Sequence, residues 1–391
     1  EPSRWDVVVF KDPGNPAENF IKRLVGLPEE KVWIVEGNVY VQPLDESAPW
    51  QIARKTESRH GYRTQRDLWQ PVYHSQYIPL DQGQPSQARQ INDPAAPGNQ
   101  LTLAWNTPWS PAEDAASWQI QHQRSYRHTQ AGKGVIQFDF DKVIDPLQVS
   151  WYPHNQFHQG RQVLNYDKVL VPEDLRLAAT FQPQGPGLSV ILRTQARLSD
   201  PNPSAPMATL QAQVTSDGLA WLEEIRADGQ IIPLTDRISV GQFPANRGRK
   251  VELWYVDQEA SLWIEGELIT FKRFDLPMET IIQRPPLDQP PRLSIEVSGP
   301  AVTLHEVEVD RDIYYTSDRA GNNSAGLGAL QKINGQIRGN PVSLARDQFF
   351  CLGDNSPMSS DSRFWTSVNP WIQNRMFEPN TQQTGIVPRK L

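Results

Sequence analysis

Short segments in which apolar and polar residues alternate recur through the middle of the chain. In residues 250–257 and 261–265 the alternation has a period of two, with turn-forming residues between the segments. Successive side chains of a strand point to opposite faces, so this period predicts half-buried β-strands. The other strands predicted in this region are residues 135–140, 169–181, 188–197, 209–214, 219–226, 268–271, 292–297 and 302–309. Many short strands at this spacing predict a β-sandwich of jelly-roll or concanavalin-like type, over residues 135–318.

The first 43 residues also predict strands. Apolar runs at residues 4–10 and 20–28 are followed by a hairpin signal, in which Glu36-Gly37-Asn38 separates residues 31–35 from 39–41. Gly supplies the backbone freedom that such a tight turn needs. Residues 1–43 are therefore expected to form a β-rich unit.

Two stretches have no sustained alternation. Residues 44–134 mix Gln, Pro, Trp and charged residues, and we expect a loop-rich connecting segment whose tryptophans pack on a neighbouring domain. Residues 319–339 are rich in Gly and Asn, which predicts a linker, with a short hairpin around Asn334-Gly335.

Composition narrows the class of protein. A chain of 391 residues is expected to form two or three domains, and its net charge of -7 argues against nucleic acid as a partner. The single cysteine, Cys351, excludes internal disulfides and lies in an apolar run, where a core position is expected. No apolar stretch is long enough for a transmembrane helix, and no signal peptide begins at Glu1.

Candidate metal ligands are sparse. His154 and His158 have helical spacing, but Pro153 and Gly160 favour a loop, and no third ligand is evident. The sequence therefore predicts no metal and no cofactor.

A polar turn after a buried strand is one candidate site. The apolar run at residues 349–352 leads into Gly353-Asp354-Asn355, and hydroxyl and charged residues follow, including Ser359, Asp361 and Arg363. Asx residues and glycine favour turns. Such a turn is either a capped surface loop or a place where side chains are positioned for chemistry.

Lys22 is the second candidate, because it interrupts the apolar run at residues 20–28. Its amine either reaches water with the stem buried, or is itself buried. Burial would lower its pKa and favour a neutral amine, which can take a proton from a hydroxyl group.

Together these stretches resemble bacterial type I signal peptidase, the membrane-anchored Ser/Lys protease that removes signal peptides. Residues 6–10 (DVVVF), 21–28 (IKRLVGLP) and 353–365 (GDN…SSDSRFW) are similar to three boxes of that family, in the same order. The tail at residues 385–391 is similar to the segment after the last box. The resemblance implies a discontinuous catalytic core over residues 1–43 and 340–391, with the sandwich inserted between.

The resemblance also implies roles for individual residues. Lys22 would be the general base and Ser359 would orient its amine. Asp361 and Arg363, with Arg23 nearby, would hold the turn in shape, and Asp354 and Asn355 would fix its backbone. Phe20, where a tyrosine is common, and Ile21 would line the shallow pockets that accept small residues before the cleavage site.

The nucleophile is missing from the matching boxes. The family's Ser-x-Pro box precedes the DVVVF strand, but here Glu1 lies just ahead of that strand, and Ser3 lacks the pattern. Ser204-Ala-Pro206 has the pattern in a predicted loop after the lysine. We therefore expect a fragment, inactive alone, whose nucleophilic serine and membrane anchor lie upstream.

The resemblance implies a membrane location, with the catalytic part on the extracytoplasmic, periplasmic side and the signal peptides of exported preproteins as substrates. One alternative is a non-catalytic binding protein on a peptidase scaffold, in which the sandwich recognises glycan or protein. Another is a self-cleaving Ser/Lys repressor relative, but no basic helical segment suits its DNA-binding part.

Overall fold

The computed structural model describes residues 2–12, 15, 17–77, 89–92, 100–103, 107–122, 124–140, 173–285, 287, 289–315, 328–333, 336–354 and 359–365. These residues form a mainly β structure, as the sequence predicts. The described helices are α1 (Tyr62–Leu68) and α2 (Met278–Gln283). Neither of them has the length and apolar character needed to cross a bilayer.

The strands are numbered in chain order. They are β1 (Val7–Lys11), β2 (Asn19–Gly26), β3 (Glu30–Val35), β4 (Asn38–Pro43), β5 (Gln51–Ile52), β6 (Gln70–His74), β7 (Arg89–Asn92), β8 (Gln100–Leu103), β9 (Trp109–Pro111), β10 (Trp118–Gln121), β11 (Ser125–His128), β12 (Gly132–Phe138), β13 (Leu175–Pro183), β14 (Ser189–Ala196), β15 (Ala208–Val214), β16 (Leu219–Ile225), β17 (Ile231–Pro233), β18 (Ile238–Ser239), β19 (Arg249–Val256), β20 (Glu259–Ile264), β21 (Glu267–Arg273), β22 (Leu293–Gly299), β23 (Val302–Arg311), β24 (Gln331–Ile333), β25 (Gln336–Arg338), β26 (Val342–Ser343) and β27 (Phe350–Leu352).

Two small sheets are built from both ends of the described chain. One has the order β1-β2-β27, and the other has the order β26-β3-β4-β5. In the second sheet Glu36 and Gly37 form a two-residue turn in which both have positive φ, 51° and 84°, and this confirms the predicted hairpin. A shared core that includes Val25, Val32 and Leu352 lies between the sheets. Residues 342–352 therefore return to pair with residues 23–32.

The middle of the chain forms a two-sheet sandwich. The first sheet has the order β10-β11-β23-β13-β19-β20-β21, with β6 also paired to β23. The second has the order β17-β16-β15-β14-β22-β12-β9, with β18 also paired to β16. All these pairings are antiparallel, and alternate residues of β14 are buried, as the period of two predicts. The predicted sandwich is confirmed.

The segment before the sandwich differs from the expectation of a loop-rich connection. Within residues 44–134, strands β6, β9, β10 and β11 are members of the two large sheets, so the sandwich recruits strands from before residue 135. These strands have three to five residues each, which is too short for alternation to be recognised. Of the expected packing tryptophans, Trp109 and Trp118 are buried and belong to the sandwich core itself, whereas Trp50 and Trp69 are half-buried.

A third apolar cluster lies where the small sheets meet the sandwich. Tyr40 and Ile52 of the small sheets pack with Met278 and Ile281 of α2 and with Leu330. In the expected linker, β24 and β25 pair on either side of residues 334–335. His154, His158 and residues 385–391 lie outside the described residues.

Candidate functional site

Strand β2 carries Lys22 in the middle of the three-stranded sheet. Lys22 lies opposite Val8 of β1, and the next two residues, Arg23 and Leu24, pair with β27. Because side chains alternate along a strand, Phe20, Lys22 and Leu24 share one face of β2, and Ile21 and Arg23 share the other. The lysine is thus placed on a paired strand rather than on a loop.

Ser359 is brought to this lysine by the turn that follows β27. The Nζ atom of Lys22 donates a hydrogen bond to Oγ of Ser359, and the two atoms are 3.1 Å apart although 337 positions separate the residues. Ser359 is buried, with 7% of its surface exposed. The structure therefore brings together the two residues that the resemblance implies to be partners.

Gly353 leaves the space in which this contact forms. A Cβ atom at position 353 would lie 2.0 Å from Oγ of Ser359 and 3.4 Å from Nζ of Lys22. A distance of 2.0 Å is far inside van der Waals contact, so any side chain here would displace the serine hydroxyl. The sequence marks Gly353 only as a turn residue, and nothing in its local pattern reveals this close approach.

A buried ion pair holds the same turn. Nε and Nη2 of Arg363 donate to the two carboxylate oxygens of Asp361 at 2.9 and 2.7 Å, and neither side chain is exposed. Asp361 also accepts from the backbone N–H of Gly353 at 3.0 Å. Each carboxylate oxygen therefore has more than one donor, which meets the main requirement for burying a charged pair.

A second ion pair ties β2 to the turn from the other face of the sheet. Nε and Nη2 of Arg23 donate to the two carboxylate oxygens of Asp354 at 2.9 and 2.7 Å. The Nη1 atom of Arg23 donates to the backbone carbonyl of Trp5 at 2.9 Å. Arg23 thus joins three parts of the domain: the start of the chain, β2 and the turn.

The surroundings of Lys22 shift its amine toward the neutral form. Lys22 is half-buried, and within the described residues it forms no ion pair with a carboxylate. Burial lowers the pKa of Lys22 below its ordinary value of 10.5, although the charge of Asp361 partly opposes this shift. A larger share of the amine is therefore unprotonated at a given pH than for a lysine in water.

Aromatic rings border the lysine. Nζ of Lys22 lies 4.7 Å from the ring centroid of Phe20, which stacks on Trp365 at 6.0 Å. Phe10 packs edge-on against the same tryptophan at 5.7 Å. Sequence reasoning assigned no role to Phe10 or Trp365, and only their positions within the matching boxes hinted at one.

The two expected pocket residues are not on one face. Phe20 faces the same side as Lys22, whereas Ile21 points to the opposite side and is 66% exposed. Period-two geometry separates neighbouring residues of a strand in this way. A peptide bound on the lysine side would therefore meet Phe20 directly, and Ile21 would require contact with the other face.

The remaining candidates occupy ordinary positions. Cys351 is buried, and burial raises the pKa of its thiol to about 12, which suits a core residue. Ser204 lies in an exposed loop between β14 and β15 of the sandwich. Asn355 lies outside the described residues.

Fold and site together define the class of protein. It has a β-rich domain, built from chain segments on both sides of the sandwich, in which a half-buried lysine contacts a buried hydroxyl group. Residues 1–86 match the family of "Signal peptidase, peptidase S26". The N-terminal part of the chain is therefore similar to a peptidase S26 signal peptidase domain. The turn with Ser359 lies beyond the matched residues.

Curated relatives match over a short stretch. Signal peptidase I of Rickettsia typhi and that of Rickettsia prowazekii are each 42% identical to this chain over 41 residues, which is 10% of this chain and 16% of the relative. The chain thus matches about one sixth of the length of these relatives. This sequence identity supports a similarity to signal peptidase I over the matched residues. The activity of the whole protein is a proposal.

Solved structures that resemble the sandwich have low similarity scores. They include carbohydrate-binding module CBM66 from Bacillus subtilis, with 8% identity and a TM-score of 0.31, covering 52% of this chain and 96% of that chain. A Bacillus licheniformis β-glucanase has 9% identity and a TM-score of 0.32, covering 53% and 94%. At these scores the likeness supports no functional argument, and the sandwich rests on the strand pairings above.

Proposed function

We propose that the chain is the extracytoplasmic part of a membrane-bound serine endopeptidase that cleaves signal peptides from exported preproteins. The observation that carries the proposal is the contact between Lys22 and Ser359, formed by a half-buried amine without a carboxylate partner in the described structure. The nucleophile would be a serine supplied by sequence ahead of residue 1.

In this mechanism the upstream serine attacks the carbonyl carbon of the scissile peptide bond. Lys22, neutral at the working pH, takes the proton of that serine and then passes it to the leaving amine. Ser359 fixes the direction of the amine through its hydrogen bond. Backbone N–H groups near the nucleophile would bind the oxyanion.

The side chains around the lysine would serve the same reaction. Asp361 and Arg363 hold the turn that presents Ser359, and Arg23 ties this turn to β2 through Asp354. Phe20 would border the residue that precedes the cleavage site.

The test uses the longer protein that includes the sequence ahead of residue 1. A membrane preparation of that protein is given a preprotein with small residues before its cleavage site. Replacing Lys22 by Ala should lower the cleavage rate at least about 100-fold, because the general base is lost. Lys272→Ala is the matched control, since this lysine is exposed on β21. Normal cleavage by Lys22→Ala would refute the assigned base.

A second candidate function is recognition of glycan or protein by the sandwich. The outer face of its second sheet carries a hydrogen-bonded row in which Glu223 accepts from Gln211, Gln213 and Trp221, and Arg193 joins Gln211 to Glu296. Gln211, Trp221 and Glu223 are themselves buried, so a polar polymer would contact the half-buried side chains of this row, Arg193, Gln213 and Glu296, which the buried groups hold in place. Binding of this chain to an oligosaccharide array that is lost in Glu223→Gln, with no cleavage by the longer protein, would favour this candidate over the peptidase.

A further inference from the structure

Trp5 has a backbone conformation that is costly for a bulky residue. Its φ is 74°, in the left-handed region, and its side chain is 2% exposed. Its N–H donates to the carbonyl of Leu24 at 2.6 Å, and its own carbonyl accepts from Arg23. Such a conformation is unfavourable for a residue with a bulky side chain and persists only where the surrounding structure holds it.

Lys55 contacts the Trp5 ring, which also packs in the core between the two small sheets. Nζ of Lys55 lies 5.2 Å from the ring centroid, in the range of a cation–π contact. Lys55 belongs to a 3-10 turn, Lys55–Glu57, that follows β5. The same part of the chain also contacts Asp6, the residue after Trp5. Nε of Arg59 lies 2.9 Å from a carboxylate oxygen of Asp6 and forms an ion pair with it.

The sandwich anchors Lys55 in turn. Its Nζ atom donates to Asp257, directly after β19, and to Asp312, directly after β23, at 2.7 Å each. All three side chains are almost fully buried, with exposures of 1–2%. Burial disfavours the ammonium charge, but the two carboxylates hold the pKa of Lys55 above its usual value. Lys55 therefore stays charged beneath the Trp5 ring.

Arg23 connects this anchor to the candidate active site. Its guanidinium binds the carbonyl of Trp5 and the carboxylate of Asp354, and Asp354 directly follows Gly353, against which Ser359 packs. The direction of the Trp5 carbonyl depends on the φ of Trp5. A change in that angle would move the acceptor away from Arg23 and loosen the turn that holds Ser359.

We propose that Trp5 and Lys55 are positioning residues, through which the sandwich sets the contact between Lys22 and Ser359. Their importance for catalysis rests on the proposed peptidase function, but their effect on Lys22 does not. In this arrangement the inserted sandwich helps to support the catalytic core. The contacts form a series: Asp257 and Asp312 hold Lys55, Lys55 contacts the ring of Trp5, and the carbonyl of Trp5 binds Arg23.

Two substitutions at position 5 separate backbone conformation from loss of the ring. Trp5→Gly and Trp5→Ala both remove the ring, but glycine adopts a φ of this sign without strain and alanine does not. The pKa of Lys22 is measured in this chain from the pH dependence of its 13Cε chemical shift after lysine labelling, with Lys22→Arg to assign the signal. This measurement needs neither the upstream serine nor a substrate.

We expect Trp5→Ala to raise the pKa of Lys22 toward its ordinary value of 10.5, because the loosened turn admits water. Trp5→Gly should retain the lower pKa. Lys55→Met should behave like Trp5→Ala, and Lys55→Arg, which keeps the charge, should retain the lower pKa; if Lys55→Met does not fold, the Trp5 pair decides.

Two results would overturn the proposal. One is an unchanged pKa of Lys22 in Trp5→Ala, even if the melting temperature of that variant falls, and the other is an equal shift of the pKa in Trp5→Ala and Trp5→Gly. In the longer protein, absence of cleavage by the unsubstituted chain would count against the proposed function alone, since the pKa measurements stand without it.

Discussion

Gly353 offers a direct test of how closely the candidate site is packed. In Gly353→Ala, the new methyl group would meet Oγ of Ser359 at 2.0 Å, whereas ordinary contact begins at 3.4 Å, so the hydroxyl must move by about 1.4 Å. The φ of Gly353 lies outside the left-handed region, so the expected effect comes from lack of space rather than from backbone strain.

The displacement has consequences for catalysis and stability. A shift of this size would break the 3.1 Å hydrogen bond between Lys22 and Ser359. Misplacing a catalytic group by about 1 Å can lower a rate about 100-fold, and overpacking a buried site costs about 1–3 kcal/mol. We therefore expect a loss of cleavage in the longer protein and a lower free energy of unfolding in this chain.

The assays are preprotein cleavage and urea unfolding, with Gly185→Ala as the control. A Cβ at position 185 would meet Pro300 at 3.6 Å, an ordinary contact, so this variant should match the unsubstituted protein in both assays. Full cleavage activity in Gly353→Ala would refute the reasoning, because the contact could not then be needed for the reaction.

Three further predictions follow from the charges at the site. Lys22→Met should raise the melting temperature near neutral pH, because the folded-state pKa of Lys22 is below its unfolded value of 10.5 and its charged form is disfavoured by folding. The gain should shrink as the pH rises toward that unfolded value; no gain near neutral pH would contradict the burial of the amine. Cleavage by the longer protein should increase with pH, because Lys22 loses its proton at a pH below its unfolded-state pKa. A cleavage rate that stays constant from about pH 6 to about pH 10 would argue against a lysine base. Asp361→Asn should destabilise the chain by about 3–5 kcal/mol in urea unfolding, since Arg363 would stay buried without a counter-charge, while exposed Asp347→Asn should have little effect; equal stabilities would show that the pair is dispensable.

The sequence predicts the sandwich well because its strands alternate. β14, β19 and β22 begin and end within two residues of the predicted segments. In β14 and β22 the burial alternates as well, whereas β19 is buried on both faces from residue 251 to residue 256. The short strands β9 and β10 escape prediction because three or four residues carry too little alternation. Their strand conformation comes from pairing, of β9 with β12 and of β10 with the next strand, β11.

The candidate site was predicted through local motifs, and the structure adds what tertiary contacts decide. The motifs singled out Lys22 and Ser359, and the structure places them in contact, while their catalytic roles remain predictions. The roles of Trp5, Lys55 and Gly353 could not be predicted, because they depend on tertiary contacts: Trp5 with Lys55, Lys55 with two aspartates of the sandwich, and Gly353 with the hydroxyl of Ser359. No local pattern marks Lys55 as the partner of two aspartates from the sandwich.

The separation of 337 positions between the lysine and its serine partner also fixes the order of events during synthesis. A ribosome that adds about 5–20 residues per second needs roughly 15–70 s to pass from one residue to the other. Throughout that interval β2 has no β27 to pair with, and the amine has no hydroxyl beside it. A newly made chain would therefore lack the contact between Lys22 and Ser359 until its last portion emerges and docks, and under the proposed function it could not cleave any substrate before that point.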